Sequence, residues 1–454
     1  MSKKTDRLRE INSPEFLPRW LRILTNLKYR LIIEGVAVGL LAGLLVSAFR
    51  VALSKADEIR TLMLTAAEEK FIIYIWYILM LVFLTVGVAF IVKREPLCSG
   101  SGIPQVKGEL EGKIKTNWLS VILAKFIGGV MAIGAGLSLG REGPSIQLGA
   151  MVGKGFSRLS GRFREEEHLL MTCGGSAGLA AAFGAPLAGV VFALEELHKS
   201  FSTEIMLSAM AAAITGDWVG STMFGLSPVF SLTPFMRLPL SHYWMVIILG
   251  VLLGAFGVLY NKCIAISQNF FGRLKPEWLK AVIPFVAIII LVFTYPIGLG
   301  SGHELVDFAS EGSGVKVLLV LLIVKFVFSI MSFGTGAPGG IFLPLLVLGS
   351  VAGGLFAETM NLVVENTMFY ATYFVILGMA GLFASIVRAP VTGIILISEM
   401  TGVLHNMLPL ALVTLVSFVT AEILGGIPIY DQLLDRLLAN QKAARAKRKA
   451  INVK

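Results

Sequence analysis

The sequence contains an internal repeat that constrains its fold more than any other feature. The run Gly100-Ser101-Gly102 recurs as Gly300-Ser301-Gly302, and Gly140-Arg141-Glu142-Gly143-Pro144 aligns with Gly340-Ile341-Phe342-Leu343-Pro344, at one constant separation. One match between apolar segments could arise by chance, but several matches in order predict two homologous halves. Halves with Gly- and Pro-interrupted segments at corresponding positions are typical of transporter folds, with the binding site between them.

The acidic residues divide into those that the repeat shares and those that it does not. Glu195 aligns with Glu399, and we expect both to have a structural role, such as accepting backbone N–H groups. Glu142 and Glu196 align with apolar residues of the second half. An ionisable residue within apolar sequence marks a candidate functional site. Because Glu142 and Glu196 occur in one half only, they indicate a function added to a shared scaffold.

The composition excludes a soluble multidomain protein. The chain is 56% hydrophobic and 15% charged, with a mean hydropathy of +0.80, which predicts an all-α polytopic membrane protein. The net charge of +10 comes largely from basic residues near both ends. This distribution follows the positive-inside rule and predicts two cytoplasmic termini rather than nucleic-acid binding. Cys98, Cys173 and Cys263 have no metal or disulfide spacing, so we expect no metal and no cofactor.

Apolar stretches and linkers predict the organisation of the chain. The expected segments are a basic cytoplasmic segment (1–30), a first half (31–225), a linker (226–242), a second half (243–430) and a short basic cytoplasmic tail (431–454). The Gly-rich run Leu169–Leu194 predicts two short tilted helices rather than one straight span. Lys125 and Lys325 also align, and we expect each to orient helix ends in its half. Hydropathy alone leaves open whether the halves run parallel or inverted.

The run Gly140-Arg141-Glu142-Gly143-Pro144 predicts a helix that starts inside the membrane. Pro144 suits the first turn of a helix, where its missing N–H group costs nothing. The positive end of a helix attracts anions, and Glu142 is itself a tethered anion. A free anion and this carboxylate could therefore compete for one position, with protonation deciding between them. The alternative is that the adjacent Arg141 simply neutralises Glu142.

Four sequence motifs together resemble those of the CLC family of chloride channels and chloride/proton antiporters. They are Gly100-Ser101-Gly102-Ile103-Pro104, Gly140-Arg141-Glu142-Gly143-Pro144, Gly340-Ile341-Phe342-Leu343-Pro344 and Tyr430. The resemblance covers about residues 98 to 430. It implies two halves of tilted, broken helices in inverted topology, and a homodimer whose subunits each have an anion pathway. We expect the prokaryotic type, without appended regulatory domains, in an inner membrane.

The resemblance also implies a set of chloride contacts. Those residues are Ser101, Gly102, Gly340, Ile341, Phe342 and Tyr430. Hydroxyl and backbone N–H donors at helix ends can replace the water around chloride without trapping the ion. The serine of the first motif favours chloride, because nitrate-selective relatives resemble this motif with proline there. Taken alone, Ser101 could be only a helix N-cap and Tyr430 only an anchor at the membrane interface.

Two glutamates receive proton-linked roles from the same resemblance. Glu142 matches the outer gate, which occupies an anion position when ionised and swings away when protonated. Glu196 matches the inner proton-transfer glutamate of the antiporters, a position at which channel members commonly lack an ionisable residue. The backbone around the gate is formed by Gly140, Arg141, Gly143 and Pro144. Burial disfavours the charged form of a carboxylate, so such groups can change protonation near working pH.

The sequence thus predicts a chloride/proton exchanger, with chloride, protons, membrane lipid and a second copy of the chain as partners. A passive chloride channel on the same fold is the main alternative. A membrane serine hydrolase is formally suggested by the G-x-S-x-G pattern in Gly174-Gly175-Ser176-Ala177-Gly178. That pattern needs a strand-to-helix elbow and a partner histidine, whereas this segment reads as apolar helix. We therefore expect no enzymatic activity.

Overall fold

The computed structural model describes residues 27–230, 232, 238–275, 278–365, 367–403 and 407–452. Their regular structure is helical, apart from one isolated β-bridge. The helices of the first half are α1 (Leu27–Glu69), α2 (Ile72–Arg94), α3 (Ile103–Leu110), α4 (Trp118–Gly134), α5 (Glu142–Leu159), α6 (Arg164–Phe183), α7 (Pro186–Phe192) and α8 (Thr203–Phe224). Those of the second half are α9 (Tyr243–Arg273), α10 (Trp278–Thr294), α11 (Glu304–Ser310), α12 (Val315–Gly334), α13 (Phe342–Asn361), α14 (Ala371–Val387), α15 (Pro390–Thr401) and α16 (Met407–Ile423), followed by α17 (Ile429–Asn452).

Eight helices follow one another in the same order in each half. The short 3-10 turn Pro96–Cys98 lies between α2 and α3, and its counterpart Pro296–Gly298 lies between α10 and α11. A single π-helical turn, Ala193–His198, follows α7 in the first half, whereas α15 of the second half runs on as α-helix. The predicted repeat is therefore present in the structure, and it differs where Glu196 lies.

The two halves meet at their repeat-related glycines. Gly140 and Gly340 form an antiparallel bridge, in which each N–H donates to the other's carbonyl, at 2.6 and 2.7 Å. The N–H of Gly100 donates to the carbonyl of Gly336 at 3.1 Å, and the N–H of Gly300 donates to the carbonyl of Gly136 at 2.8 Å. Equivalent positions thus pair in opposite chain directions, as in an inverted repeat.

Buried lysines orient the turns before α3 and α11, as predicted. The ammonium of Lys125 donates to the carbonyls of Cys98 and Gly100 at 2.9 and 2.6 Å. Lys325 donates in the same way within its half, to two carbonyls of the turn before α11, at 3.1 and 2.7 Å. Both lysine side chains are fully buried. Each of them holds the Gly-Ser-Gly turn of its own half in place.

Six described helices are long and apolar enough to cross a membrane: Tyr29–Glu69, Ile72–Arg94, Leu240–Arg273, Val315–Gly334, Phe342–Asn361 and Thr367–Val387. The third and last of these spans include adjoining turn residues, and the first starts at the third residue of α1. Four shorter apolar helices accompany them. The expected break in Leu169–Leu194 is confirmed, because α6 ends at Gly184, with φ 64°, and Pro186 opens α7. Glycines bring α5 and α6 into close contact, since a side chain at Gly149 would overlap the backbone of α6.

The helix bounds can be compared with the predicted segments. α8 ends at Phe224 and α9 begins at Tyr243, so the predicted linker 226–242 lies between them. Of that linker, residues 231 and 233–237 lie outside the described residues, as do residues 1–26 of the predicted N-terminal segment. The tail continues Tyr430 within one helix, α17. The division into domains remains a prediction.

Candidate functional site

Glu142 is the first residue of α5 and is completely buried. Its Oε2 accepts the N–H of Leu343, in the first turn of α13, at 3.4 Å. Its Oε1 has no hydrogen-bond partner among the described residues. The carboxylate therefore lies at the N-terminal ends of two helices, one from each half, where the helix dipoles favour negative charge. Pro144 occupies the first turn of α5, as predicted.

Glycines make room for this carboxylate. A Cβ at Gly140 would overlap Glu142 Oε2 and would lie 3.0 Å from the backbone nitrogen of Leu343. A Cβ at Gly340 would lie 3.1 Å from the nitrogen of Gly143. Real Cβ atoms do not approach so closely without displacing a neighbour, so larger residues would push the two helix ends apart. The glycines of both motifs thus explain how Glu142 reaches the opposite half.

Arg141 does not neutralise Glu142 by direct contact. The described part of the chain has no ion pair within 4.0 Å between these two side chains. Arg141 Nε is buried and has no hydrogen-bond partner in that part of the chain. The two side chains leave the backbone in different directions, as neighbours in a helical turn do. Glu142 is therefore available to interact with the amides of α13.

Ser101 lies against the first turn of α5. A Cβ at Gly143 would overlap the Ser101 hydroxyl and would lie 2.7 Å from the Ser101 carbonyl oxygen. The N-cap of α3 is Gly102, with φ 94° and no side-chain capping bond. The N-cap interpretation of Ser101 is therefore wrong. The side chain is 3% exposed, and within the described ranges its hydroxyl has no hydrogen-bond partner.

The start of α13 presents backbone donors to the same place. Ile341 is the N-cap of α13 and Phe342 is its first residue, and both side chains are completely buried. The first N–H groups of a helix have no acceptor within the helix. The Gly340 N–H is used by the bridge between the halves. The amides of Ile341 and Phe342 follow directly, next to the one that Glu142 contacts.

Aromatic packing connects Phe342 with Tyr430. The Phe342 ring packs against Phe183 at 5.5 Å, Phe192 at 6.3 Å and Phe383 at 4.9 Å between centroids. Phe192 in turn meets Tyr430 edge-on at 6.4 Å. Tyr430 is completely buried, so the interpretation as an interfacial anchor is wrong. Its hydroxyl has no hydrogen-bond partner among the residues that the structure describes.

Two cavities approach this region from different sides. The first, of about 860 Å³, is lined by Ser101, by Phe333 and by side chains of α17 such as Arg436, and is called the Ser101 cavity here. The second, of about 460 Å³, is lined by Arg141 and Leu343 among others, and is called the Arg141 cavity. Glu142 accepts the N–H of Leu343, which lines the Arg141 cavity. The first turn of α5, which begins with Glu142, packs against Ser101, which lines the Ser101 cavity. Glu142 therefore lies between the two cavities.

Glu196 lies in the π-helical turn and belongs to a network of charged side chains. Lys107 Nζ contacts Glu196 Oε1 at 2.6 Å and also forms an ion pair with Asp431. Lys199 Nζ pairs with the other oxygen of Asp431 at 3.1 Å. Burial raises the pKa of Asp431, but hydrogen bonds and charge from Lys107 and Lys199 outweigh it, so the pKa lies below its usual value. The network joins α3, the π turn and α17.

Lys107 and Asp431 were not among the predicted site residues. A signal for each was present in the sequence. Lys107 lies three residues after the first motif ends, and Asp431 directly follows Tyr430. A charged residue in such a place needs a partner. The partner of Lys107, Glu196, lies 89 positions away, too far to be recognised from local spacing.

The structural role predicted for Glu195 and Glu399 is confirmed. Glu195 accepts the N–H groups of Val391 and Thr392, at the start of α15, at 3.3 and 2.8 Å. Glu399 accepts two N–H groups at the start of α7, at 3.1 and 2.8 Å. Glu195 thus caps the start of α15, the helix that contains Glu399, and Glu399 caps the start of α7, the helix before Glu195. This reciprocal pair holds α7 and α15 together across the interface of the halves.

The G-x-S-x-G pattern is a helix-packing feature here. Ser176 lies inside α6 and is 1% exposed, and its hydroxyl contacts the carbonyl of Ala209 at 3.5 Å. Side chains at Gly174 and Gly178 would overlap the backbone of α5. A nucleophile elbow needs a sharp strand-to-helix turn. The segment is continuous helix instead, and its small residues let α5 and α6 approach.

Known proteins resemble this chain over most of its length. The family model described as "Voltage gated chloride channel" matches residues 83–422. The H(+)/Cl(-) exchange transporters ClcA of Vibrio campbellii and Vibrio cholerae are 34% and 36% identical, over 92% and 90% of both chains. The crystal structure of a slow cyanobacterial Cl-/H+ antiporter superposes with a TM-score of 0.87 at 34% identity, covering 91% of this chain and 99% of that one. The chain therefore belongs to the voltage-gated chloride channel (CLC) family.

Proposed function

We propose that the protein exchanges chloride for protons across a prokaryotic inner membrane, as a homodimer with one anion pathway in each subunit. The similar proteins from both Vibrio species are named H(+)/Cl(-) exchange transporters, and the similar crystal structure is of a Cl-/H+ antiporter. In this proposal Glu142 is the outer gate and Glu196 is the inner proton-transfer group. A passive chloride channel on the same fold is the alternative that transport measurements must separate from it.

One observation carries the proposal: the Glu142 carboxylate accepts an amide of α13 at a buried point between two cavities. A carboxylate there holds a position that a free anion could take, because both are attracted by the N–H groups at helix ends. Protonation removes the charge and with it most of the attraction. A protonated Glu142 would therefore give way to chloride, and an ionised Glu142 would displace it.

Chloride would be held by neutral donors on its way between the cavities. The Ser101 hydroxyl, the Tyr430 hydroxyl and the amides of Ile341 and Phe342 are buried donors gathered around the ends of α3, α5, α13 and α17. Four such donors can replace much of the hydration of an anion, and none carries a full charge that would hold it too tightly. Ser101 opens onto the cavity lined by α17, so chloride would reach the site from that side.

The Ser101 cavity is the one that we assign to the cytoplasm. Residues of α17 line this cavity, and the same helix continues into the basic tail. Basic residues flanking membrane spans lie on the cytoplasmic side. Glu196 lies on this side as well, because its network includes Asp431 at the start of α17. The Arg141 cavity would then face outward, which fits Glu142 as the outer gate.

The two glutamates divide the proton path between them. A proton from the outside would reach Glu142 through the Arg141 cavity, and a proton from the cytoplasm would reach Glu196. Chloride would move between the Ser101 cavity and the outside only when Glu142 leaves the amide of Leu343. Coupling follows if Glu142 must be protonated for that movement, since each turnover then carries protons one way and chloride the other. The proton transfer between Glu142 and Glu196 is the step that joins both paths.

The gate can be tested by the pH dependence of chloride flux in liposomes. For the wild type, flux should rise as the pH falls, because protonation releases Glu142 from the α13 amide. Glu142→Gln mimics the protonated side chain, so its chloride flux should no longer depend on pH and should carry no protons. Glu111→Gln, in an exposed ion pair with Lys113 at 2.6 Å, is the matched control and should behave as the wild type. A Glu142→Gln variant with wild-type pH dependence would remove Glu142 from the gate.

A further inference from the structure

A buried cation, Lys107, connects Glu196 with the more exposed carboxylate of Asp431. The side chains of Glu196 and Lys107 are 5% and 1% exposed, whereas that of Asp431 is 32% exposed. Lys107 Nζ contacts Glu196 Oε1 at 2.6 Å and also pairs with Asp431. Accessibility is thus lowest at Lys107 and Glu196 and rises from Lys107 to Asp431 and then to Lys199, which is 51% exposed. The hydrogen bonds form an unbroken connection from the buried carboxylate to the surface.

We propose that Lys107 passes protons between Glu196 and the solvent, and that Asp431 positions the Lys107 ammonium for this transfer. The proposal rests on the proposed function, in which Glu196 is the inner proton-transfer group. Lys107 is the only group described in contact with Glu196 that can both donate and regain a proton near it. Lysine is suited to this task, because its ammonium can donate a proton to one partner and the resulting amine can accept a proton from another.

The transfer balances in two steps. First, one N–H bond of the Lys107 ammonium breaks and an O–H bond forms on Glu196, which leaves a neutral amine beside a neutral carboxylic acid. Next, a hydronium ion attracted by the Asp431 carboxylate gives its proton to the amine and remains as water. The net result is one proton moved from solvent to Glu196, and the reverse order releases one. Burial favours the intermediate, because a neutral pair costs less to bury than two charges.

Asp431 is placed to keep the amine in position during the neutral interval. It accepts from Lys107 on one side and from Lys199 at 3.1 Å on the other. It also follows Tyr430 directly in α17, so one helical turn carries a proposed chloride ligand and a residue of the proton path. Asp431 acts through Lys107 and does not touch Glu196 in the described contacts, so it is a positioning residue.

Two substitutions at Lys107 separate proton transfer from simple charge. Lys107→Arg keeps the positive charge and the hydrogen bonds to both carboxylates, but a guanidinium does not release a proton in proteins. Lys107→Met keeps a long apolar side chain and removes the proton and the charge. If Lys107 transfers protons, both variants should lower proton flux by about 100-fold or more, in line with the loss of a positioned proton donor. Chloride flux should persist in both, which shows that they are folded.

Lys113→Met is the matched control. Lys113 follows α3 and forms an exposed ion pair with Glu111 at 2.6 Å, the same separation as in the Lys107–Glu196 pair. Proton and chloride fluxes of this control should match those of the wild type. Wild-type proton-to-chloride ratios in either Lys107→Arg or Lys107→Met would overturn the proposal: the first would show that charge suffices, and the second that the side chain only covers Glu196.

Two further variants keep the test decisive. Asp431→Asn preserves the shape of a half-buried side chain and should lower proton flux while chloride flux continues. An unchanged proton-to-chloride ratio in Asp431→Asn would contradict the proposal, even if the Lys107 variants fail to fold. Glu196→Gln, measured in the same assay, separates the proposed proton role of Glu196 from that of Lys107. Proton flux persisting in Glu196→Gln would remove the proposed proton role of Glu196 itself. Proton flux lost in Glu196→Gln but kept in the Lys107 variants would overturn only the role of Lys107.

Discussion

At the scale of single residues, the site depends on contacts that only small or unpaired groups permit. Gly140 and Gly143 let the Glu142 carboxylate and the Ser101 hydroxyl approach the ends of α5 and α13. The hydroxyls of Ser101 and Tyr430 are buried without a hydrogen-bond partner in the described ranges. A buried polar group without a partner is costly. Such groups are retained where a ligand can satisfy them, which is the basis for assigning them to chloride.

Gly143→Ala should disrupt this approach. Alanine normally favours a helix over glycine by about 1 kcal/mol. Here its Cβ would overlap Ser101, so overpacking of about 1–3 kcal/mol should outweigh that gain and destabilise the protein. The unfolding temperature in detergent and the chloride flux in liposomes should both decrease. Gly175→Ala is the control, because its Cβ would come no closer than 3.2 Å, to the flexible end of Leu197, and its stability should stay near the wild-type value.

Tyr430→Phe should weaken chloride binding without unfolding the site. The ring would keep its edge-on contact with Phe192, and only the hydroxyl donor would be lost. A single hydrogen bond contributes about 1 kcal/mol, or roughly a five-fold change in the dissociation constant. Calorimetric titration with chloride would measure this change in the dissociation constant. Tyr260→Phe, which loses a bond to Ser329 at 2.8 Å, should reduce stability but not chloride affinity. Equal chloride affinity in Tyr430→Phe and the wild type would exclude Tyr430 as a ligand.

At the scale of helices, the repeat gives each half the same supports, but only one half carries the proposed gate, Glu142. Lys125 and Lys325 hold equivalent turns through equivalent carbonyls. Glu195 and Glu399 cap each other's neighbouring helices. These supports position helix ends in both halves, whereas Glu142 and the π turn with Glu196 are confined to the first. The two halves thus share their architecture but not the carboxylates proposed to move protons.

The two lysines therefore make a matched pair of variants. Lys325→Met should leave two buried carbonyls without a donor, at about 1–3 kcal/mol for each. Lys125→Met should leave only that of Cys98, because the Gly100 carbonyl also accepts the N–H of Gly339 at 3.0 Å. Both should lower thermal stability, Lys325→Met by more than Lys125→Met. Lys125→Met should also reduce chloride turnover more than Lys325→Met does, because the turn that Lys125 supports carries Ser101. Equal effects on turnover would mean that the position of Ser101 does not depend on Lys125.

At the scale of the whole molecule, the sequence predicted the architecture and most of the site, but not the charged network. The repeat predicted two homologous halves, the corresponding lysines and a shared structural role for Glu195 and Glu399, but not that these two carboxylates cap helices of opposite halves. The inversion followed only from the resemblance. The Lys107–Asp431 ion pair joins residues 324 positions apart, in helices that no local pattern relates. Long-range polar contacts of this kind depend on tertiary packing, which periodicity and motif spacing do not encode.

The broken helices illustrate the same limit. Gly184 and Pro186 predicted where α6 and α7 separate, since a left-handed glycine and a proline are local signals. The π-helical turn Ala193–His198 has no comparable signal, and its alignment partner in α15 is regular helix. An extra residue in a helical turn rotates the side chains that follow. That rotation accompanies the contact between Glu196 and Lys107, which the aligned Met400 lacks.

The central claim is that chloride and proton movements are coupled. Purified protein would be placed in liposomes with a chloride gradient and no proton gradient, with the voltage clamped by potassium and valinomycin, while the external pH is recorded. Coupled exchange predicts that chloride leaving the vesicles drives protons inward against the gradient that develops, so that the external pH rises. Chloride leaving while the external pH stays constant would contradict the exchange account and would favour the passive channel.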